Sequence, residues 1–158
     1  MIMKVLVVYD SLGGNTEKMA FAIAAGASSF EGVEAEAIQI GEPFPLAALV
    51  ESTMVVFGSP VIYSKVTDGM MSFLEHFKQH IEAGKITVKE RRAAIFGSCS
   101  FRAQIIEERL KGMVEDLGYD VEEKVCVEMA RNIKDSTEKA LEKCRDFGKG
   151  LAESLKKR

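Results

Sequence analysis

The sequence predicts an α/β fold in which helices cover both faces of a doubly wound, parallel, five-stranded sheet. Short apolar runs alternate along the chain with longer segments that have helical spacing, which is the pattern of repeated strand–helix–strand units. Three of these runs are apolar almost throughout, which indicates strands covered on both faces. The length of 158 residues fits one domain, so we assign residues 1–158 to a single domain.

The five predicted strands fall into two classes. In chain order they are Lys4–Tyr9, Val33–Ile38, Met54–Phe57, Ala93–Phe96 and Val121–Val127. The first, third and fourth are apolar, whereas the second alternates and the fifth is heavily charged, as is typical of exposed edges. This pattern predicts the strand order 2-1-3-4-5. Ligands of such sheets bind beyond the carboxyl ends of the strands, where strands 1 and 3 diverge.

The segments between and after the strands have the spacing of amphipathic helices. The first predicted helix begins near Glu17, and a short one lies near residues 46–50. Two more span residues 70–81 and 106–117, the latter ended by Gly118 in a C-cap position. The last helix opens with Asp135-x-x-Glu138, which suits a capping box, and has apolar residues from Ala140 to Leu155.

Composition excludes several classes of function. The chain has 21 basic and 24 acidic side chains, a net charge of −3, so we expect no nucleic-acid partner and no anionic membrane surface as partner. Its apolar runs are too short to span a bilayer. Cys99, Cys126 and Cys144 form no Cys-x-x-Cys pair, which predicts free thiols and a cytoplasmic protein. His76 and His80 lie one helical turn apart but have no obvious third ligand, so we predict no metal site.

The loop after strand 1 has the features of a phosphate cradle. It consists of Ser11, Leu12, Gly13, Gly14, Asn15 and Thr16. Two glycines let the backbone approach a ligand, the polar side chains are short, and amide groups at the start of the next helix point at the same place. The same residues also suit an ordinary capped turn, so this loop alone leaves both interpretations open.

The loops after strands 3 and 4 carry apolar and aromatic side chains at the same edge of the sheet. They contain Ser59, Pro60, Val61, Ile62 and Tyr63 after strand 3, and Ser98, Cys99, Ser100 and Phe101 after strand 4. Two such walls beside a phosphate cradle predict a site for a flat heteroaromatic ring with a phosphate tail. The alternative is that Tyr63 and Phe101 only cover neighbouring helices.

These loops resemble those of the short-chain flavodoxins, and the similarity extends from Lys4 to about Leu155. The segment from residue 9 to residue 20, Tyr-Asp-Ser-Leu-Gly-Gly-Asn-Thr-Glu-Lys-Met-Ala, is particularly similar to the flavodoxin module of flavodiiron proteins, as is Gly58-Ser59-Pro60. No di-iron domain precedes it, so we expect the FMN module alone. In the family's phosphate pattern, Gly13 takes the place of a residue with a hydroxyl group.

The resemblance implies a flavodoxin-like protein that binds FMN noncovalently. Residues 11–16 would hold the phosphate, residues 59–63 would line one side of the ring, and residues 98–101 would line the other. Phe101 is the firmer wall, and the resemblance leaves open which of Val61, Ile62 and Tyr63 is opposite. The loop after strand 3 lacks the glycine that is usual in the family, and Lys65 places a cation near the ring.

The resemblance further implies a carrier of electrons between redox partner proteins, either a monomer or a weak homodimer. No catalytic residues are implied for this role. Two alternatives remain: an FMN-dependent reductase that transfers hydride from NAD(P)H to quinones, and a flavin-free module with the same fold.

Overall fold

The computed structural model describes residues 2–43, 45–135 and 137–157. The first half of the chain forms β1 (Met3–Tyr9), α1 (Asn15–Ser28), β2 (Val33–Gln39), α2 (Ala47–Glu51), β3 (Met54–Ile62), β4 (Lys65–Val66) and α3 (Asp68–Glu82). The second half forms β5 (Arg92–Cys99), a π-helical segment (Ile105–Leu110), α4 (Lys111–Glu115), β6 (Asp120–Met129), α5 (Ala130–Asp135) and α6 (Thr137–Lys156).

The main sheet is parallel, with the order β2-β1-β3-β5-β6. The predicted doubly wound order is therefore confirmed, since β5 and β6 are the fourth and fifth strands of the prediction. The charged segments β2 and β6 are the two edges of this sheet. The additional strand β4 pairs antiparallel with the end of β3 and was not predicted.

Two apolar layers sandwich the sheet, and each central strand contributes to both. In β1, Val5 and Val7 face the layer formed with α1 and α6, whereas Leu6 and Val8 face the layer formed with α2, α3, α4 and the π-helical segment. Because both faces are buried, these strands have no polar alternation. None of the helices in the described ranges combines the length and the apolar character that a bilayer crossing requires.

Helices α1 and α6 pack with their backbones in close contact, and glycines make this possible. A Cβ atom added at Gly26 would lie closer than 3.0 Å to the Arg145 carbonyl oxygen. A Cβ atom added at Gly148 would lie equally close to the Ile23 carbonyl oxygen. By contrast, a Cβ atom at Gly150, on the same helix as Gly148, would meet no described atom within 4 Å.

Strands β3 and β5 continue beyond the apolar runs that predict them. The sequence predicts loops at residues 58–62 and 97–99, but these residues lie in the strands, where Ser59 pairs with Gly97 and Pro60 with Ser98. Backbone pairing needs no apolar side chain, so the strands extend through buried serines that the hydrophobic pattern does not reveal. Asn15 and Thr16, also predicted in a loop, form the start of α1.

Candidate functional site

The segment between β1 and α1 is held by the hydroxyl group of Ser11. Its Oγ accepts hydrogen bonds from the amide groups of Gly14, at 3.2 Å, and Glu17, at 3.3 Å. Gly14, the residue before α1, has a φ of 88°, a backbone conformation that favours glycine. The predicted loop is therefore also a capped turn, and its side-chain cap comes from Ser11.

The same turn leaves hydrogen-bond donors available for a ligand. Within the described part of the chain, the amide groups of Gly13, Asn15 and Thr16 donate to no acceptor. Ser11 Oγ acts only as an acceptor in its two bonds, so its own proton is available. A Cβ atom added at Gly13 would meet no described atom within 4 Å, so the position of a side chain on this residue is open. Free donors at the start of a helix suit an anion.

The side chain of Thr16 points into the protein. Its Oγ1 lies 2.9 Å from Ser98 Oγ, and both residues are buried. This hydrogen bond ties the start of α1 to the end of β5. The Thr16 hydroxyl group is therefore occupied by a buried protein partner, whereas its amide group is free.

A tight hairpin carries Tyr63 into the solvent. Val61 pairs with Val66 and Ile62 with Lys65, so Tyr63 and Ser64 form a two-residue turn with φ values of 50° and 60°. Positive φ at both positions characterises a type I′ turn, the usual two-residue hairpin connection. The turn leaves the Tyr63 side chain 93% exposed, while Val61 and Ile62 are half-buried.

The segment after β5 exposes a second aromatic side chain. Phe101 is 69% exposed, whereas Ser98 and Cys99 are buried at the end of the strand. Burial and the nearby charge of Glu107 raise the pKa of the Cys99 thiol, so the uncharged form is favoured.

Large apolar side chains are concentrated at this edge of the sheet. Within the described residues, the exposed large hydrophobic side chains are Ile2, Leu12, Phe21, Tyr63 and Phe101. Three of them belong to the three segments that the sequence predicts as the site. Since large apolar side chains normally seek burial, their exposure in each of the three segments is typical of a surface that binds a ligand or partner.

The sequence reasoning missed Asp10 and Thr67. The Ser11 amide donates to Asp10 Oδ1 at 2.9 Å, and Thr67 Oγ1 donates to Asp10 Oδ2 at 2.6 Å. Thr67 also caps α3, because its hydroxyl oxygen accepts from the Met70 amide. A threonine directly before an apolar helical run is a recognisable N-cap signal, but nothing in the sequence pairs it with Asp10.

Two charged features lie around the site. Lys65 Nζ lies 3.1 Å from Asp68 Oδ1, so the cation predicted near the ring has an acidic neighbour. Tyr9 donates its hydroxyl proton to Glu17 Oε2 at 3.0 Å. Burial and this hydrogen bond raise the pKa of Tyr9 to about 12. Tyr9 is therefore neutral at physiological pH.

The two histidines lie outside this edge, on α3. Their Nε2 atoms are 3.3 Å apart, so the two imidazoles are within hydrogen-bond distance of each other. Within residues 2–43, 45–135 and 137–157 there is no group of three or more side chains that could hold a metal ion.

The architecture is similar to those of a flavodoxin and of a flavodiiron protein. An archaeal flavodoxin superposes on the chain with a TM-score of 0.77 and 26% identity, covering 98% of this chain and 99% of that one. The flavodiiron core of Flv1 from Synechocystis matches 98% of the chain with a TM-score of 0.77 and 25% identity, but only 36% of that protein is covered.

Curated sequences give the same result. The coenzyme F420H2 oxidase of Methanothermobacter marburgensis is 28% identical over 157 residues. An NAD(P)H dehydrogenase (quinone) of Acidithiobacillus ferrooxidans is 29% identical over 105 residues, which cover 54% of this chain and 52% of the relative. The chain spans 36% of the length of the oxidase and of an uncharacterized protein of Methanocaldococcus jannaschii. The family model for flavodoxin matches residues 7–148, and the chain therefore belongs to the flavodoxin family.

Proposed function

We propose that this chain binds FMN noncovalently and carries electrons between redox partner proteins. The observation that carries the proposal is the convergence, at one edge of the sheet, of free backbone donors with two exposed aromatic side chains. The donors suit a phosphate, and Tyr63 and Phe101 suit the two faces of a flat ring. Family membership supports a flavin as the ring.

The phosphate would be held by neutral hydrogen bonds. The available donors are the amide groups of Gly13, Asn15 and Thr16 together with the Ser11 hydroxyl group. The loop contains no Lys or Arg, so the partial positive charge at the start of α1 supplies the favourable electrostatics. When bound, FMN supplies the redox chemistry, whereas the protein sets its binding and orientation.

The exposed side chains favour Tyr63 as the wall opposite Phe101. Val61 and Ile62 are half-buried in β3, so less of their surface is available to a ring. Between Tyr63 and Phe101 lie the buried ends of the two strands, which consist of Ser59, Pro60, Ser98 and Cys99. They would form the floor of the site rather than its sides.

The similarity to a whole archaeal flavodoxin, which the chain covers almost completely, supports an electron carrier. An NAD(P)H-dependent quinone reductase is the second candidate, supported by the relative of that name. We also place the protein in the cytoplasm, where Cys99, Cys126 and Cys144 would remain the free thiols that the structure contains. A monomer or weak homodimer suits transient contact with redox partners.

The deciding experiment is an anaerobic reduction of the purified protein after addition of FMN, followed by its visible spectrum. A carrier of single electrons is expected to bind FMN and to be reduced in two separate stages, with a transient long-wavelength band. Reduction in one two-electron stage, and rapid bleaching by NADPH or NADH, would support the reductase instead. A spectrum that shows no bound flavin would refute both.

A further inference from the structure

The carboxylate of Asp10 connects two segments that are remote in sequence. Its Oδ1 accepts from the Ser11 amide at 2.9 Å, and its Oδ2 accepts from Thr67 Oγ1 at 2.6 Å. Ser11 begins the loop that presents the free donors, whereas Thr67 follows the hairpin that carries Tyr63 and is the N-cap of α3. One side chain therefore holds the loop against the start of α3.

The hydrogen bonds continue from Thr67 into β3. The Thr67 amide donates to Ser59 Oγ at 3.3 Å, and Ser59 in turn donates its hydroxyl proton to the Pro60 carbonyl oxygen at 2.8 Å. Thr67 and Ser59 are both buried, so these bonds do not compete with bulk water. The Thr67 side chain is held by the Met70 amide, which donates to its Oγ1 at 3.2 Å, and its own proton goes to Asp10.

The backbone next to Asp10 leaves room for its carboxylate. A Cβ atom added at Gly69 would lie 2.8 Å from Asp10 Oδ2, which is closer than side chains pack. Gly69 is the second residue of α3, a position where helices do not require glycine. Its lack of a side chain is explained by the carboxylate that occupies the space.

The geometry points to Asp10 as a positioning residue for the phosphate of the cofactor. By fixing the Ser11 amide and the start of the loop, Asp10 sets the direction of the donors that follow before a ligand arrives. It acts through Ser11 and Thr67. This inference rests on the proposed FMN function and adds a residue that sets how well the phosphate, as distinct from the ring, is held.

The test compares FMN with riboflavin, which has the same ring but no phosphate. For Asp10→Ala, we expect the dissociation constant of FMN to rise about tenfold or more, because the loss of the acceptor that holds the loop outweighs the relief of repulsion between this carboxylate and the phosphate. In the same variant, the dissociation constant of riboflavin should change by less than about threefold. Asp10→Asn keeps an acceptor for the Ser11 amide, so its dissociation constant for FMN should be closer to that of the unchanged protein.

Variants of Thr67 keep the test decisive if Asp10→Ala fails to fold. Thr67→Val removes the donor to Asp10 and should lower the preference for FMN over riboflavin, whereas Thr67→Ser should restore it. Thr53→Val is the matched control, because Thr53 Oγ1 accepts a hydrogen bond of 3.1 Å from the Lys4 amide at the opposite end of the sheet. It should leave the preference unchanged.

Two outcomes would overturn the inference. One is an unchanged preference for FMN in Asp10→Ala or in Thr67→Val. The other is an equal loss of FMN and riboflavin affinity, which would indicate a general structural role. If the unchanged protein itself binds no FMN, the proposed function fails instead, so the two failures are distinguishable.

Discussion

A negative charge placed at Gly13 tests the phosphate cradle directly. Gly13 is exposed, its backbone lies outside the left-handed region, and an added Cβ atom would meet no described atom within 4 Å. Glutamate should therefore be accommodated without disturbing the fold. At a separation of about 5 Å and an effective dielectric constant of about 60, its carboxylate and a dianionic phosphate repel by about 2 kcal/mol, which weakens FMN binding about 30-fold.

The assay is a fluorescence titration of the flavin with the apoprotein, because flavin emission reports binding. Gly13→Gln is the matched control, with the same shape and no charge, and it should bind FMN far more tightly than Gly13→Glu. The difference between the two variants should shrink as the salt concentration rises from about 0.01 M to 1 M, because ions screen the repulsion. Equal FMN affinities for the two variants at low salt would refute a phosphate at this loop.

Three further predictions concern packing, ionisation and the ring. Gly148→Ala should lower the free energy of unfolding in a denaturant titration by about 3 kcal/mol or more, since its Cβ atom would overlap the backbone of α1, whereas Gly150→Ala should be neutral or slightly stabilising. Burial raises the pKa of Tyr9 to about 12, so the folded protein keeps a proton that the unfolded chain releases above pH 10, and stability should fall between these values. The free energy of unfolding should fall by about 2 to 3 kcal/mol, and this fall should be absent in Tyr9→Phe. Denaturant titrations of both proteins at each pH make the comparison. Phe101→Ala should weaken FMN binding about tenfold, whereas Phe21→Ala, which removes an exposed aromatic outside the site, should leave the titration unchanged.

The sequence predicts the sheet well because strands that are buried on both faces consist almost entirely of apolar residues. The apolar runs of β1, β3 and β5 and the charges of β2 and β6 are sufficient for the strand order. What the pattern misses is backbone pairing that needs no apolar side chain. The extensions of β3 and β5 and the hairpin at Tyr63 are of this kind, and the hairpin turn lacks the Asn-Gly pair that usually reveals one.

The candidate site was predicted as three loops, and its residues remain predictions. The sequence identifies the segments because glycines, short polar residues and aromatics follow the apolar runs. It does not show that the Thr16 hydroxyl turns inward to Ser98, or that Asp10 reaches Thr67. Both are contacts between residues far apart in the chain, and local patterns carry no information about them.

The close packing of α1 against α6 has a consequence for folding during synthesis. These are the first and last helices in the described ranges, and they form most of the apolar layer on one face of the sheet. Until α6 has left the ribosome, the glycine surface of α1 and the strands beneath it stay open to water. The domain therefore completes that half of its core only after α6 has been synthesised, and such a contact between distant parts of the chain slows folding.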